Sequence, residues 1–501
     1  MRVIEYRCAD GTPFPVTFED EAQAAKTWWL DREHTREPGP PLAVALRRLG
    51  GAGSERAYAE VGLVAPGPFR PGGPSTHGFG YFDTTPMTAE ELGVMMAGCA
   101  KLIEVHGSAQ AVWHDYCLPR AKESCAFLEV AVPGGATLQE LAERQNYGQQ
   151  MTMVPAFICG NDLMLLAATC GEIVGPDRAQ LVAYELTQGY DNETLLADQA
   201  LWDVAHDPTP QRVDAFLAEF GHRSEAWDIA APTWNERREG FYRQLEAMAI
   251  PGTPEPRAAV EAGMRRRIAL LEELDAELAD DHAKRDRFHR RVERVATYVA
   301  VREERARWQL ALVGNLRHAV LRIGAALVDR GVIDDREDVL YLLPDEIEGG
   351  GSDDLKAAVT ERRAEHEMWK RVTPPDAIGA DHPTAPPVIA LPPDRTITGV
   401  GASRGQAVGT ARVITDLADA DSLEPGDVLV CVSTSPPWTP LFGLAAAIVV
   451  DSGDMGSHSA IAAREYGIPC VLATAIGTAA IADGATVKVD GDAGTVEVFA
   501  S

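Results

Sequence analysis

The sequence has little of what marks several large protein classes. It has eight cysteines in 501 residues and no CxxC pair, too few for a disulfide scaffold and the wrong spacing for a zinc ribbon. Lysine and arginine together number 46 against 75 aspartates and glutamates, a formal net charge of −29. No basic stripe is present, which argues against nucleic-acid or anionic-membrane binding. No run of about 18 apolar residues occurs. The N-terminus MRVIEYRCADG has no apolar signal core, so a reducing cytoplasm is the expected location. The glycine-rich stretch Gly399–Arg412 is not followed by GK[ST] and so is no Walker A loop.

What remains is ordinary globular material, 46% hydrophobic and 24% charged, long enough for two or three domains. Val3–Arg7 reads as a strand and Phe18–Arg36 as a helix; Gly78–Phe82 is a short aromatic run. From Thr88 onward helical spacing dominates. Thr88-Ala-Glu-Glu91 is a capping-box pattern, and segments 88–106, 109–131, 137–148, 161–173 and 176–188 carry apolar residues at spacings of three and four. Residues 254–330 read as long amphipathic helix, with Trp308, Leu312, Leu316, Val320, Ile323 and Leu327 on one face. Asp335–Leu343 alternates as a strand would, and 352–371 is helical again.

Between Thr373 and Arg395 seven prolines fall in 23 residues, a composition that suits a semi-extended tether and neither a helix nor a central strand. After it, short strands are expected at Val428–Val432, Ala447–Val450, Val471–Ala473, Val487–Val489 and Thr495–Phe499. The organisation predicted is a mainly helical domain over 1–372, a linker over 373–398 and a small α/β domain over 399–501.

Within that last domain His458 is the only histidine. Ser457 is a candidate N-cap, Ser459–Tyr466 the helix, Gly467 its stop, with Pro469 just beyond. The first turn of a helix has unpaired N–H groups and a positive dipole end, so an imidazole there is well placed to carry an anion. The loop TSPPWTPL, stiffened by its prolines, presents Thr434 and Thr439 after a predicted strand.

The stretch GSHSAIAAREYGIPCV, with TSPPWTPLF before it and VKVDGDAGTVEVF after it, resembles the phosphohistidine, or swivelling, domain of PEP-utilising enzymes, over all of 399–501. Upstream, Phe220-Gly-His-Arg223, Trp227-Asp-Ile-Ala-Ala-Pro232, Trp234, Arg302-Glu303 and Gly331-Val-Ile-Asp-Asp-Arg-Glu-Asp-Val-Leu-Tyr341 are similar to the substrate domain of rifampicin phosphotransferases. The fold implied is α+β multidomain: a large mainly α-helical substrate domain followed by a small β/β/α swivelling phosphohistidine domain. No ATP-grasp domain and no PEP-binding barrel are recognisable in the sequence. The resemblance is then to one subunit of the two-component aryl phosphate synthases, phenylphosphate synthase and alkylphenol (p-cresol) kinase.

What the resemblance implies is a phosphotransferase working through phospho-His458. A separate ATP-grasp subunit would bind ATP and Mg²⁺ and charge the histidine, and the acceptor would be the hydroxyl of a small, phenolic or alcoholic compound. Thr434, Ser457 and Arg464 are expected at the phosphate, although Arg464 reads equally as a structural ion-pair partner of Glu465 or Asp454. His222 is a candidate general base because imidazole titrates near neutral pH; a histidine fixing a turn is the alternative. Arg302 matches an arginine heading a substrate-site helix, and Ala306 stands where rifampicin enzymes carry a lysine. Arg223, His77, His114 and Trp227 are further pocket candidates, and no metal ligands are assigned. The competing readings are a phosphocarrier or regulatory protein with no small-molecule acceptor, and a degenerate PEP-synthase-like enzyme.

Overall fold

The structure, a computed structural model, describes residues 1–31, 37–67, 70, 72–190, 192–224, 226–250, 253, 255–349, 355–380, 382, 384, 391–435 and 438–499. It comprises two compact units, each assembled from several stretches of chain. One contains Met1–Pro155, Ala226–Pro232 and Arg305–Val388. The other contains Ala156–Glu225, Thr233–Glu304 and Ile389–Ser501, so residues 399–501 share a unit with helices from the middle of the chain.

In the first unit a hairpin pairs Arg2–Arg7 with Pro13–Phe18, and a three-stranded sheet places Thr27–Leu30 between Tyr81–Asp83 and Ala377–Gly379. Its helical core is built on the apolar stripe read from the sequence: Leu312, Leu316, Val320 and Leu327 pack with Leu42, Leu46, Leu128 and Leu141. In the second unit the helices Pro176–Glu185, Glu193–His206, Pro210–Phe220, Arg238–Met248 and Pro256–Glu277 accompany an eight-stranded mixed sheet.

Most predicted helices are present, and the differences have local causes. The segments at 137–148 and 161–173 are one helix, Leu138–Val174, which runs through Pro155. Proline removes one backbone bond and crowds the preceding turn, and the boundary between units falls at that residue. The helix expected over Phe18–Arg36 is a single turn, Glu21–Ala24, followed by the strand Thr27–Leu30; residues 32–36 lie outside the described residues. There the bulky aromatic pair decides, with Trp28 buried and Trp29 at the surface, alternating as a strand does. The strand expected at Asp335–Leu343 is instead a 3-10 helix, Arg336–Tyr341. Asp335 accepts from the N–H of Glu337 while Asp338 accepts from the N–H of Asp335, and such short acidic side chains draw the backbone into a turn.

Of the proline-rich segment, residues 381, 383 and 385–390 lie outside the described residues. Its described ends are edge strands, Ala377–Gly379 and Thr396–Thr398. Two helical stretches, Leu138–Val174 and Glu304–Asp329, are long and apolar enough to cross a membrane, with 47% and 56% of those windows buried within the protein. They supply core residues such as Leu166, Cys170, Leu316 and Val320. All eight cysteines are free thiols.

The eight-stranded sheet has the order Thr396–Thr398, Thr495–Val498, Thr486–Asp490, Gln406–Val413, Val428–Cys431, Ala447–Val450, Cys470–Leu472, Val400–Ser403. Gln406–Val413 through Cys470–Leu472 run parallel, and the flanking pairs are antiparallel. Val428–Cys431, Ala447–Val450 and Cys470–Leu472 are apolar on both faces, as strands covered on both sides require. Val428 and Val430 face one core, Leu429 and Cys431 the other. The glycine-rich Gly399–Arg412 supplies two of these strands, Val400–Ser403 and Gln406–Val413. A side chain at Gly401 would meet the carbonyl of Gly491 at 2.3 Å, so glycine there serves close backbone packing.

Candidate active site

Two loops leave adjacent parallel strands at their carboxyl ends, the position where open α/β sheets place their ligands. One follows Val428–Cys431 and carries Thr434, then the short turn Thr439–Phe442; the two prolines between them, 436 and 437, lie outside the described residues. The other follows Ala447–Val450 and leads to the helix His458–Tyr466. The second loop is pinned at its root by Asp451. Its carboxylate accepts from Thr474 Oγ1 at 2.8 Å, from Thr478 N at 3.2 Å and from the Thr478 hydroxyl. Gly467 ends the helix in the left-handed conformation, φ 70°, as its sequence position suggests.

His458 is the first helical residue and is half-buried. Its ring is held at both nitrogens: Nδ1 lies 2.9 Å from Thr434 Oγ1 and Nε2 lies 3.3 Å from Thr439 Oγ1. Thr434 Oγ1 also lies 2.7 Å from Ser459 Oγ, and all three hydroxyl residues are buried. Phe442 presents its ring edge-on to the imidazole, with centroids 6.0 Å apart. β-Branched threonines have restricted χ1, so their hydroxyls are directed at the ring by few rotamers.

Ser457 differs from the expectation for it. It occupies the N-cap position with extended backbone, φ −66° and ψ 159°, but its side chain makes no capping bond. Its Oγ is buried without a hydrogen-bond partner among the described residues. A buried hydroxyl beside the histidine with no partner among the described residues is suited to an incoming oxygen.

Arg464 is also placed otherwise than at a phosphate. It is buried and donates to the carbonyls of Ala402 at 3.0 Å and Met455 at 2.8 Å, with its guanidinium over the Tyr184 ring. Neither of the expected ion-pair partners provides these contacts. Burial, with the charge of Arg302 adding to it, pushes its pKa down to about 10.

Arg302 itself is buried and acts electrostatically on both Arg464 and Glu465. The structure therefore brings this residue to the far end of the histidine helix. Glu465 is the centre there, accepting from the N–H of Gly189 at 3.1 Å. Burial pushes its pKa up to about 7, against the N–H of Gly189 and the charges of Arg302, Arg464 and Arg266. Arg266 donates to the last helical carbonyls, those of Arg464 at 2.9 Å and Glu465 at 3.1 Å. Arg404 and Glu185 add an ion pair at 2.7 Å.

The remaining candidates are not part of this cluster as described. His222 and Arg223 form a tight turn after the helix Pro210–Phe220. Arg223 is buried, with its guanidinium 5.5 Å from the Phe220 ring, and its carbonyl accepts from Trp234 N. His77, His114 and Trp227 belong to the first unit. There His77 stacks on Trp369 with ring centroids 4.0 Å apart, and its Nε2 lies 2.8 Å from the Pro15 carbonyl. His114 is exposed and Trp227 half-buried. Among the described residues no three His, Cys, Asp or Glu side chains gather as a metal site.

Residues 423–494 match the PEP-utilising enzyme mobile domain, and residues 207–303 match the rifampicin phosphotransferase fourth domain. Over those two stretches the chain is similar to these two families. The mobile-domain match contains Thr434, Thr439 and His458; the other contains Arg223, Arg266 and Arg302. A rifampicin phosphotransferase of Streptomyces sviceus is 30% identical over 72% of this chain and 42% of its own length. A chondramide synthase of Chondromyces crocatus is 28% identical over 97% of this chain and 14% of its own. An uncharacterised phosphotransferase of Bacillus subtilis is 28% identical over 63% of this chain and 43% of its own. The chain thus spans less than half the length of these relatives.

Three groups around the mobile domain's histidine were not assigned from sequence. Ser459 follows it directly, and Thr439 stood in a loop already singled out. Arg266, by contrast, is one of three consecutive arginines, and nothing in the sequence distinguishes it from its neighbours.

Proposed function

We propose that this chain is the phosphohistidine and acceptor part of an ATP-dependent phosphotransferase. His458 receives a phosphoryl group from ATP bound on a separate ATP-grasp subunit and passes it to the hydroxyl of a small phenol or alcohol. The overall reaction is ATP + H2O + ROH to RO-phosphate + AMP + Pi. The observation that carries this reading is the imidazole held between Thr434 and Thr439 at the start of a helix, beside the unpartnered Ser457 hydroxyl.

The geometry suggests which nitrogen reacts. We assign the Nδ1–H tautomer, in which Thr434 Oγ1 accepts from Nδ1–H and the lone pair stays on Nε2. Nε2 takes the phosphoryl group and later gives it up. The hydroxyls of Thr439 and Ser457 and the helix N-terminus meet the phosphoryl oxygens, supplying the charge stabilisation that phosphoryl transfer chiefly needs. Mg²⁺ neutralises the ATP phosphates on the partner; no metal step is assigned to this chain.

The test is to combine the protein with its candidate ATP-grasp subunit, Mg-ATP and a panel of phenols, and to measure AMP and aryl phosphate. Both products should appear together and only with both proteins present. Aryl phosphate formed from ATP by this chain alone would defeat the two-subunit part of the proposal.

A further inference from the structure

Thr434 Oγ1 lies against two polar atoms of the histidine helix, His458 Nδ1 at 2.9 Å and Ser459 Oγ at 2.7 Å. These belong to consecutive residues, whose side chains diverge from a helix, so the threonine hydroxyl reaches both by sitting between them. Thr434 and Ser459 are both buried, and bulk water does not compete for the bond they share.

Ser459 differs in kind from the rest of its helix. The other small buried positions of His458–Tyr466 are Ala460, Ala462 and Ala463. Alanine is the better helix former, and a buried hydroxyl costs stability unless it is hydrogen-bonded. Serine at 459 adds one oxygen to what alanine would supply, and the partner of that oxygen among the described residues is Thr434.

A hydroxyl has a single proton to give. The proton of Thr434 goes either to Ser459 Oγ or to His458 Nδ1. If Ser459 accepts it, the lone pairs of Thr434 face the ring, which then holds its proton on Nδ1 and its lone pair on Nε2. If Nδ1 accepts it, the ring proton moves to Nε2, where Thr439 Oγ1 lies 3.3 Å away, and Nε2 has no lone pair to offer. The direction of one buried O–H bond thus decides whether Nε2 is a nucleophile.

We propose that Ser459 is a positioning residue, which accepts the hydroxyl proton of Thr434 and so holds the His458 imidazole in its Nδ1–H form. The proposal rests on the reading that His458 carries the phosphoryl group on Nε2. In loading, the Nε2 lone pair forms the N–P bond as phosphorus parts from its donor, and the ring gains a positive charge with its proton still on Nδ1. In release, the electron pair of the N–P bond returns to Nε2 as the acceptor O–P bond forms, and the acceptor proton passes to water. The ring departs as neutral imidazole, a far better leaving group than its anion. Ser459 acts on both steps through Thr434.

The experiment uses the full chain alone. The tautomer of His458 is read from 15N chemical shifts of protein labelled at histidine, with His458→Ala to assign the signals. Loading is followed by 31P NMR after addition of phosphoramidate, which gives up its phosphoryl group with loss of ammonia. Wild-type protein should hold its neutral ring as Nδ1–H and become phosphorylated on Nε2. Ser459→Ala should move the ring towards Nε2–H and slow loading about tenfold, the effect of one redirected hydrogen bond. In a Thr434→Val background the same change should alter loading by less than about twofold, because its route to the ring is gone. A wild-type tautomer or a wild-type loading rate in Ser459→Ala would overturn the role of Ser459. So would a tenfold loss that persists in the Thr434→Val background. Wild-type protein that is never loaded at His458 would overturn the carrier reading, and the tautomer, measured without any phosphate, separates that failure from the others.

Discussion

The two ends of the helix His458–Tyr466 are built from opposite materials. The first turn is lined by neutral hydroxyls from Thr434, Thr439, Ser457 and Ser459, and its histidine is half-exposed. The last turn is charged and buried, with Arg464, Glu465, Arg266 and Arg302 acting on one another. A nine-residue helix has a positive dipole end and a negative one, and this protein uses both. The anion-accepting end is left to the chemistry. At the other end Arg266, from the middle of the chain, donates to the last helical carbonyls and ties this helix to Pro256–Glu277. Separating the two tasks by about two helical turns lets fixed charges hold the domain without permanently neutralising a phosphate at the histidine.

The contrast can be broken at either end. The largest effect is expected from His458→Ala, which should abolish both acid-labile phosphorylation of the chain and product formation while leaving the fold intact by circular dichroism. At the far end, Arg464→Met should be the most destabilising change. It leaves the Ala402 and Met455 carbonyls without their donors, a loss of about 2–4 kcal/mol measurable by denaturant titration. If stability were unchanged, the buried guanidinium would not be what holds these loops. Thr434→Val keeps the shape and removes the hydroxyl at Nδ1. The ring loses the contact that orients it, so phosphoryl transfer should slow about ten- to a hundredfold with little change in melting temperature.

The smallest expected effect concerns Glu465. Its pKa is about 7 in the folded protein and near 4.5 when free, so the folded state binds the proton more tightly than the unfolded chain. Stability from this group is present below pH 4.5 and is lost as pH rises through about 7. Glu465→Gln keeps an acceptor for the N–H of Gly189 and cannot ionise. It should flatten the fall in melting temperature between pH 5 and 8 and leave the rate of His458 charging alone. A slope identical to wild type would show that another group titrates there.

Sequence reading reached the first end of this helix and missed the second. The start was legible because its signals are local: a cap position, a histidine, an αL glycine stop and a preceding strand all lie within about 20 residues. Arg266, Gly189 and Glu185 meet the mobile domain from positions roughly 200 to 280 residues earlier, and no periodicity or spacing links such positions. Arg464 was misplaced for a related reason. A basic residue two turns from a phosphate-carrying histidine looks like a phosphate ligand until its Nη1 and Nη2 are seen to donate to the carbonyls of Ala402 and Met455. The helical core was legible from its apolar stripe. The 3-10 turn at Arg336–Tyr341 was not, because alternating apolar and polar residues do not distinguish a strand from a capped tight turn.

The contact between Thr434 and Nδ1 also bears on kinetics. In the reaction proposed for His458, Nε2, with Thr439 Oγ1 3.3 Å away, is the one reacting atom. Donor and acceptor must then visit the same atom at different times, and no ternary complex can form around it. Varying one substrate at fixed levels of the other should give parallel double-reciprocal lines, the ping-pong pattern of a covalent carrier.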